Sequence, residues 1–196
     1  MATTAQRFTI TATHPPSIGW SMGVYRPYRI QGVRNPKFDK YSGFILDIKE
    51  KNATQKRQAA VTHFADLIVA HLKGLPAQGQ AEILVVPSST KGQWSPGLEL
   101  VAQTVAKKDK RFSFVARALI RTRNIDKLAS GGDRSLAVHL DSLEYDWDLA
   151  SPMPKFLIDD VTTSGNSFAG CMTVIQSHFR QPVQITPLVL GKTSHD

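Results

Sequence analysis

The chain has 196 residues, 41% of them hydrophobic and 20% charged, with a formal net charge of +8 and a single cysteine. That length and composition fit one soluble domain with a substantial core. No apolar run approaches the ~18 residues that cross a bilayer, no apolar signal-peptide core accompanies Arg7, and Cys171 alone excludes an intrachain disulfide framework and a cysteine-cluster zinc site, so a cytoplasmic protein is expected.

The opening forty residues are largely irregular in pattern. Arg7 to Ala12 suits a short strand that His14-Pro15-Pro16 breaks. Between Val24 and Lys40, Tyr25, Tyr28 and Phe38 alternate with Arg26, Arg29, Arg34 and Lys37, as in an extended arm or hairpin packed on a domain. The regular part then alternates. Gln55 to Leu72 predicts a helix with Ala60, Phe64, Leu67, Ile68 and His71 on one stripe, ended by Gly74, Pro76 and Gly79. His63 and His71 are expected to be packing or surface residues. Ile83 to Val86 is an all-apolar run, as in a strand covered on both faces. Pro96 to Ala106 predicts a helix with Pro96 in its first turn. Phe112 to Ile120 predicts one strand, and Phe156 to Ile158 another. Ser167 to Phe179 predicts a helix burying Phe168, Cys171, Met172, Ile175 and Phe179. A last strand falls at Val183 to Ile185 or at Leu188 to Leu190. Alternation of this kind implies an α/β fold, a parallel-sheet core with helices on both faces, preceded by an arm over residues 1–40 and occupying residues 41–196. Ligands in such sheets bind beyond the carboxyl ends of the strands. Three segments leave such ends: Pro87 to Ser95, Arg121 to Arg134, and Asp159 to Asn166.

The last of these is the most informative. Two adjacent carboxylates, Asp159 and Asp160, can accept hydrogen bonds from vicinal hydroxyls or support a hydrated Mg²⁺. The loop that follows is rich in hydroxyls and contains Gly165. Leading into a helix, it offers backbone N–H groups and the positive end of the helix dipole to a phosphate. The two parts together describe a clamp for a phosphorylated ribose. Gly191-Lys192-Thr193 imitates the end of a P-loop, but Thr186 stands where its first glycine is required.

Phe156 to Phe168 resembles the phosphoribosyl pyrophosphate motif of type I phosphoribosyltransferases: an apolar run, two acids, two further positions, then Thr-Thr-Gly-x-Thr, written here as Thr163-Ser164-Gly165-Asn166-Ser167. The resemblance implies that Asp159 and Asp160 meet the ribose hydroxyls, and hold Mg²⁺ indirectly through ligand or water. It implies that Thr162, Thr163, Ser164, Gly165, Asn166 and Ser167 bind the 5′-phosphate. Ser88, Ser89, Thr90 and Lys91 are similar to the family's pyrophosphate loop, and Arg121 to Arg134 to its flexible closing loop. Arg121 and Arg123 are thereby candidates for catalysis, and Lys127 and Arg134 for pyrophosphate contact. The order of Tyr41, Lys49, the long helix, the loop at Pro87, Arg121-Thr122-Arg123 and Asp133-Arg134 most resembles the ComF-like, amidophosphoribosyltransferase-related group, over about residues 41–190. This chain lacks the cysteine zinc module of many such proteins. Thr163 occupies a position where 6-oxopurine enzymes keep an acid, which disfavours a hypoxanthine or guanine acceptor.

The implied activity is transfer of phosphoribose from phosphoribosyl pyrophosphate to an acceptor, with Mg²⁺ and release of pyrophosphate. The alternative is a phosphoribosyl- or nucleotide-binding protein without turnover. Nine Lys/Arg against three acids in residues 26–57, and again in 107–134, point to a nucleic-acid or protein partner. A homodimer is a further expectation; a membrane partner is not.

Overall fold

A computed structural model describes residues 5–50, 52–75, 79–126 and 135–194. Its centre is a sheet built from β1 (Gln6–Ile10), β2 (Ser17–Ser21), β3 (Val24–Tyr25), β6 (Ala81–Val85), β7 (Phe112–Phe114), β10 (Lys155–Thr162) and β11 (Ile185–Thr193). The strand order is β1-β2-β11-β10-β6-β7, with β3 also paired to β11. The β1–β2 pair is antiparallel, and every other pairing in this sheet is parallel. The expected parallel α/β core is therefore present. The first forty residues carry more regular structure than their sequence suggests, since β1, β2 and β3 all join this sheet. Two further hairpin-like pairs lie apart from it: β4 (Arg29–Ile30) with β5 (Val33–Arg34), and β8 (Leu119–Arg121) with β9 (Leu143–Tyr145).

Helices cover both faces because the central strands alternate between two apolar sides. Along β10, Phe156 and Ile158 face one cluster, with α1 (Lys40–Ile48), α2 (Gln55–Lys73) and α3 (Pro96–Lys108). Leu157 faces the other, with Phe168, Cys171 and Ile175 of α5 (Asn166–Gln176) and Leu143 of β9, beside which α4 (Leu136–Leu140) lies. β6 is buried along its whole length: Ile83, Leu84 and Val85 form the apolar run, and Glu82 is buried in an ion pair with Lys155. In α2, Ala60, Phe64 and Ile68 are fully buried, and Gly74 is the C-cap. Each such buried side chain contributes roughly 1.5–3 kcal/mol if large. Asp39 and Thr54 accept hydrogen bonds at the N-termini of α1 and α2, and Ser95 does so ahead of Pro96 in α3.

Two expectations need correction. The single strand over Phe112 to Ile120 is two strands, β7 in the central sheet and β8 paired with β9. Arg117, at φ 58°, turns the chain between them. The strand beginning at Phe156 does not stop at Ile158. It continues to Thr162 because Asp159, Val161 and Thr162 pair with Val189, Gly191 and Lys192 of β11, so the two acids sit on the strand itself. Gly191-Lys192-Thr193 lies inside or at the end of β11, consistent with dismissing the P-loop reading.

His63 and His71 pack as expected. His63 lies among Tyr41, Phe44 and Phe64, and His71 stands 4.6 Å from Trp20. Their Nε2 atoms are buried without a hydrogen-bond partner among the described residues. Burial lowers both from the ordinary 6.5. A histidine whose folded value is depressed binds fewer protons folded than unfolded, so stability is full above pH ~6.5 and falls as pH drops below it. Thermal melts at pH 7.5 and 5.5 should show a lower midpoint at the acid pH, and the His63→Phe/His71→Phe variant should lose part of that difference. An unchanged acid sensitivity in the variant would remove these two residues as its source.

Candidate functional site

The carboxyl ends of the parallel strands meet around a cleft of about 570 Å³. β10 supplies Asp159, Asp160, Val161 and Thr162, and the loop after it supplies Thr163, Ser164 and Gly165. Asn166 and Ser167 open α5. Val86, Pro87, Ser88 and Ser89 come from the end of β6, Tyr25 and Pro27 from the end of β3, and Thr193 from β11. Lys49 and His139 complete the wall. Nine of these positions, Asp159 to Ser167, are consecutive in sequence; Lys49, Tyr25 and His139 lie far from them.

The strand pleat sends the two acids to opposite sides. Asp159 follows Leu157 toward the α5 face, and its Oδ1 accepts the backbone N–H of Asp160 at 2.8 Å. Asp160 follows Ile158 toward α1, and its Oδ2 is 3.2 Å from the Lys49 Nζ at the C-cap of that helix. Burial alone would lower the Lys49 pKa. The charge and hydrogen bond of Asp160, with Asp159 and Tyr25 behind them, outweigh burial and hold it above the ordinary lysine value. Tyr25 beside them is raised, first by burial, with Lys49 opposing and Asp160 adding to the shift.

Gly165 is the N-cap of α5 at φ 84° and ψ 2°. Only glycine holds this left-handed conformation without strain, and a Cβ there would stand 3.0 Å from Ile10 Cγ1 of β1. The turn starts α5 at the cleft wall, where Asn166 and Ser167 lie, and the first N–H groups of a helix have no acceptor within it. Thr163 Oγ1 lies 3.2 Å from Thr193 Oγ1, Ser164 Oγ accepts the Asn166 N–H at 3.4 Å, and Thr162 is buried. Opposite, the Ser88–Gly92 loop is tied to the chain after β8. Gly92 N–H donates to Arg121 O, Ile125 N–H to Ser89 O, and Lys91 N–H to Asn124 Oδ1.

The sequence-predicted residues thus separate. Asp159, Asp160, Thr162 to Ser167, Ser88 and Ser89 share the cleft. Thr90 and Lys91 belong to the same loop but not to the cleft wall. Arg123 is exposed, with Nη2 3.0 Å from Asp141 Oδ2. Arg121 is fully buried: Nε donates to Ser88 O at 3.1 Å and Nη1 to Ser142 Oγ at 2.7 Å, so it stands behind the pyrophosphate-loop candidate rather than in the cleft. Lys127 and Arg134 lie outside the described residues. Lys49 and His139 are wall residues that the motif alone does not reveal, although Lys49 stands in the order of residues that suggested the ComF-like group.

The donor set bears on Mg²⁺. Among the described residues no group of three or more His, Cys, Asp or Glu is placed to hold a metal. Two carboxylates, one of them paired with Lys49, suit an ion that keeps most of its waters or takes ligand phosphates, which is the usual habit of Mg²⁺. Cys171 is fully buried and its thiol is pushed up to about 12 by burial, so it supplies no nucleophile at neutral pH. Among the described residues no helix is long and apolar enough to cross a membrane.

No family model and no curated protein matches the chain. Among solved structures it is similar to adenine phosphoribosyl transferase from Trypanosoma brucei, in complex with AMP, pyrophosphate and ribose-5-phosphate. That match has a TM-score of 0.40 and 11% sequence identity, and covers 81% of each chain.

Proposed function

We propose that this chain binds phosphoribosyl pyrophosphate with Mg²⁺ and transfers phosphoribose to an acceptor, as a phosphoribosyltransferase-like protein. The observation that carries the reading is one cleft holding, on a single strand-loop-helix unit, an acid pair and a left-handed glycine turn, with a second small-residue loop facing them.

In this reading Asp159 and Asp160 accept hydrogen bonds from the ribose 2′- and 3′-hydroxyls. Their charge lies close to the anomeric carbon, where positive charge develops as the bond to pyrophosphate lengthens. The electron pair of that bond leaves with pyrophosphate, and the acceptor's lone pair forms the new bond to the same carbon. The N–H groups and hydroxyls from Thr163 to Ser167 fix the 5′-phosphate, while Ser88 and Ser89 take the pyrophosphate. Lys49, held protonated, balances the charge of Asp160. Mg²⁺, when bound, neutralises the departing pyrophosphate. Thr163 offers no carboxylate for ring deprotonation, which favours an acceptor that arrives as a competent nucleophile.

A second reading has one observation in its favour. Among the described residues Lys49 is the one lysine or arginine in the cleft wall, because Arg121 faces inward and Arg123 is paired on the surface. A described wall with a single cation suits retention of a phosphoribosyl compound without turnover, with a nucleic-acid or protein partner on the basic stretch 26–57. The ComF-like assignment remains a proposal that either reading accommodates.

Gly165→Val tests the clamp. It combines a strained φ with a clash against Ile10, and is expected to weaken ribose 5-phosphate binding at least about tenfold. Calorimetric titration measures this; wild-type affinity in a folded variant would remove the turn from the site. Incubating the wild-type protein with phosphoribosyl pyrophosphate, Mg²⁺ and a panel of bases and amines, and measuring released pyrophosphate, separates transfer from binding alone.

A further inference from the structure

The β4–β5 hairpin stands apart from the central sheet and is exposed from Tyr28 to Arg34. Gln31 and Gly32, at φ 50° and 82°, form its two-residue turn, with the positive φ at both central positions that the tightest hairpins need. A two-stranded ribbon is at best marginally stable by itself, and the base of this one is tied down. Buried Asn35 donates from Nδ2 to Pro27 O and from its backbone N–H to Tyr28 O, both at 2.9 Å. Its Oδ1 accepts the Lys37 N–H, and Phe38 packs edge-on against Tyr28 at 5.1 Å. Pro27, like Tyr25, is a wall residue of the cleft, so the hairpin is fastened directly to that wall.

What the hairpin displays has no complement among the described residues. Residues 26–40 hold five Lys/Arg and one acid, Asp39, which Arg26 already engages. Arg29, Arg34, Lys37 and Lys40 form no ion pair among the described residues. Arg29 and Arg34 are register partners across the ribbon, and like charges directly opposite each other destabilise a strand pair. Both guanidiniums lie over the Tyr28 ring, 5.9 and 5.8 Å from its centroid, and Tyr28 is itself 41% exposed. Ile30 and Val33, also register partners, are 47% and 71% exposed at the tip. A polyanion relieves the repulsion, and a planar group covers the aromatic and guanidinium faces. Single-stranded nucleic acid brings both, whereas a duplex keeps its bases stacked inside and an acidic peptide has no bases. Two aliphatic tip residues bury too little to hold a bilayer, on which even a whole myristoyl chain binds only marginally.

We propose that the β4–β5 hairpin is a docking platform for single-stranded nucleic acid. Unpaired bases stack on Tyr28 and on the guanidinium planes beside it, Ile30 and Val33 cover the neighbouring sugar and base edges, and Arg29, Arg34 and Lys37 take the phosphates. Because Pro27 joins the platform to the cleft wall, the bound strand lies next to the cleft. The inference goes beyond the phosphoribose reading and does not depend on it, since none of these five hairpin side chains nor Lys37 is in the cleft wall.

The test is fluorescence anisotropy of the full chain with a labelled single strand of about 12 nucleotides, at salt from about 50 to 200 mM. Tyr28→Ala should weaken binding at least about fivefold, the lower end of what one base–aromatic stack contributes. Arg29→Ala/Arg34→Ala should weaken it too, and lower the slope of log affinity against log salt by about 1.4, at about 0.7 per phosphate contact on a single strand. Lys107→Ala/Lys110→Ala removes the same charge from exposed positions at the end of α3 and just after it, and should cost less than the arginine pair. An equal loss in that control, unchanged affinity in folded Tyr28→Ala, or no binding of the single strand at the lower salt would overturn the platform. So would a duplex bound as tightly as the single strand, or equal displacement by polyglutamate, neither of which needs a variant. Hairpin-dependent binding to phosphatidylserine vesicles without binding of the oligonucleotide would assign the surface to a membrane instead. Ribose 5-phosphate affinity should be the same in every variant, so failure of the platform and failure of the phosphoribose reading are read separately.

Discussion

Replacing Asp159 and Asp160 together by Asn is expected to weaken binding of ribose 5-phosphate and of phosphoribosyl pyrophosphate at least about a hundredfold, with the fold retained. Each carboxylate contributes charge-assisted hydrogen bonds to a hydroxyl, worth roughly 1.5–3 kcal/mol apiece, and two such losses span at least two orders of magnitude. The side chains are half-buried at the end of β10, and Asn matches them in size, so packing changes little. The single variants should differ. Asp160→Asn also removes the partner of Lys49 and leaves an unbalanced ammonium in the cleft, whereas Asp159→Asn does not touch that pair. Asp160→Asn should therefore be partly rescued by Lys49→Met and Asp159→Asn should not. Calorimetry on the four variants checks this. Equal rescue of both would show that Lys49 acts on the cleft as a whole rather than on Asp160.

At the opposite end of the same strands, Lys155→Met is expected to destabilise the fold by about 3–5 kcal/mol, the usual cost of leaving one member of a buried ion pair behind. Lys155 begins β10, and its side chain is 0% exposed. It is paired with Glu82 of β6, which is its register partner and 6% exposed. Ser151 completes the arrangement: its carbonyl accepts from Lys155 Nζ at 2.8 Å and its hydroxyl donates to Glu82 Oε1 at 2.8 Å. Truncating the lysine strands a carboxylate in a closed space, so Glu82→Gln in the Lys155→Met background should restore a large share of the stability. Urea denaturation of the single and double variants measures both effects. A loss below about 1 kcal/mol in Lys155→Met would mean that water reaches the pair. Ribose 5-phosphate affinity, measured well below the melting temperature, should be unchanged, since the pair lies at the end of the strands away from the cleft.

What could be read from sequence was local. The run Phe156 to Phe168 specifies a strand, a turn and a helix within thirteen residues, and the chemistry of the clamp follows from the order of acids, glycine and hydroxyls. The all-apolar Ile83 to Val86 and the stripe from Ala60 to Ile68 are equally self-contained. What could not be read depends on distant partners. β2 joins the sheet by pairing Trp20 and Ser21 with Leu188 and Val189, a contact across most of the chain. The break between β7 and β8 exists because Leu119 and Arg121 pair with Tyr145 and Leu143. In sequence Arg121 reads as a candidate for catalysis at the start of a closing loop. Its burial is set by Ser88, from the loop after β6, and by His139 and Ser142, from α4 and the turn that ends it. Six scattered histidines gave no ligand spacing, and nothing local marks His139, since only the packing of α4 on Gly170 brings it to the cleft. The acids extend β10 rather than beginning a loop because Val189 to Lys192 continue alongside them.

The central claim is that the cleft holds a phosphorylated, activated ribose. Titration of phosphoribosyl pyrophosphate into the full chain, with and without Mg²⁺, tests it most directly. The account predicts saturable one-to-one binding that Mg²⁺ strengthens and that ribose 5-phosphate competes away; no binding in the presence of Mg²⁺, or binding that ribose 5-phosphate leaves untouched, would contradict it.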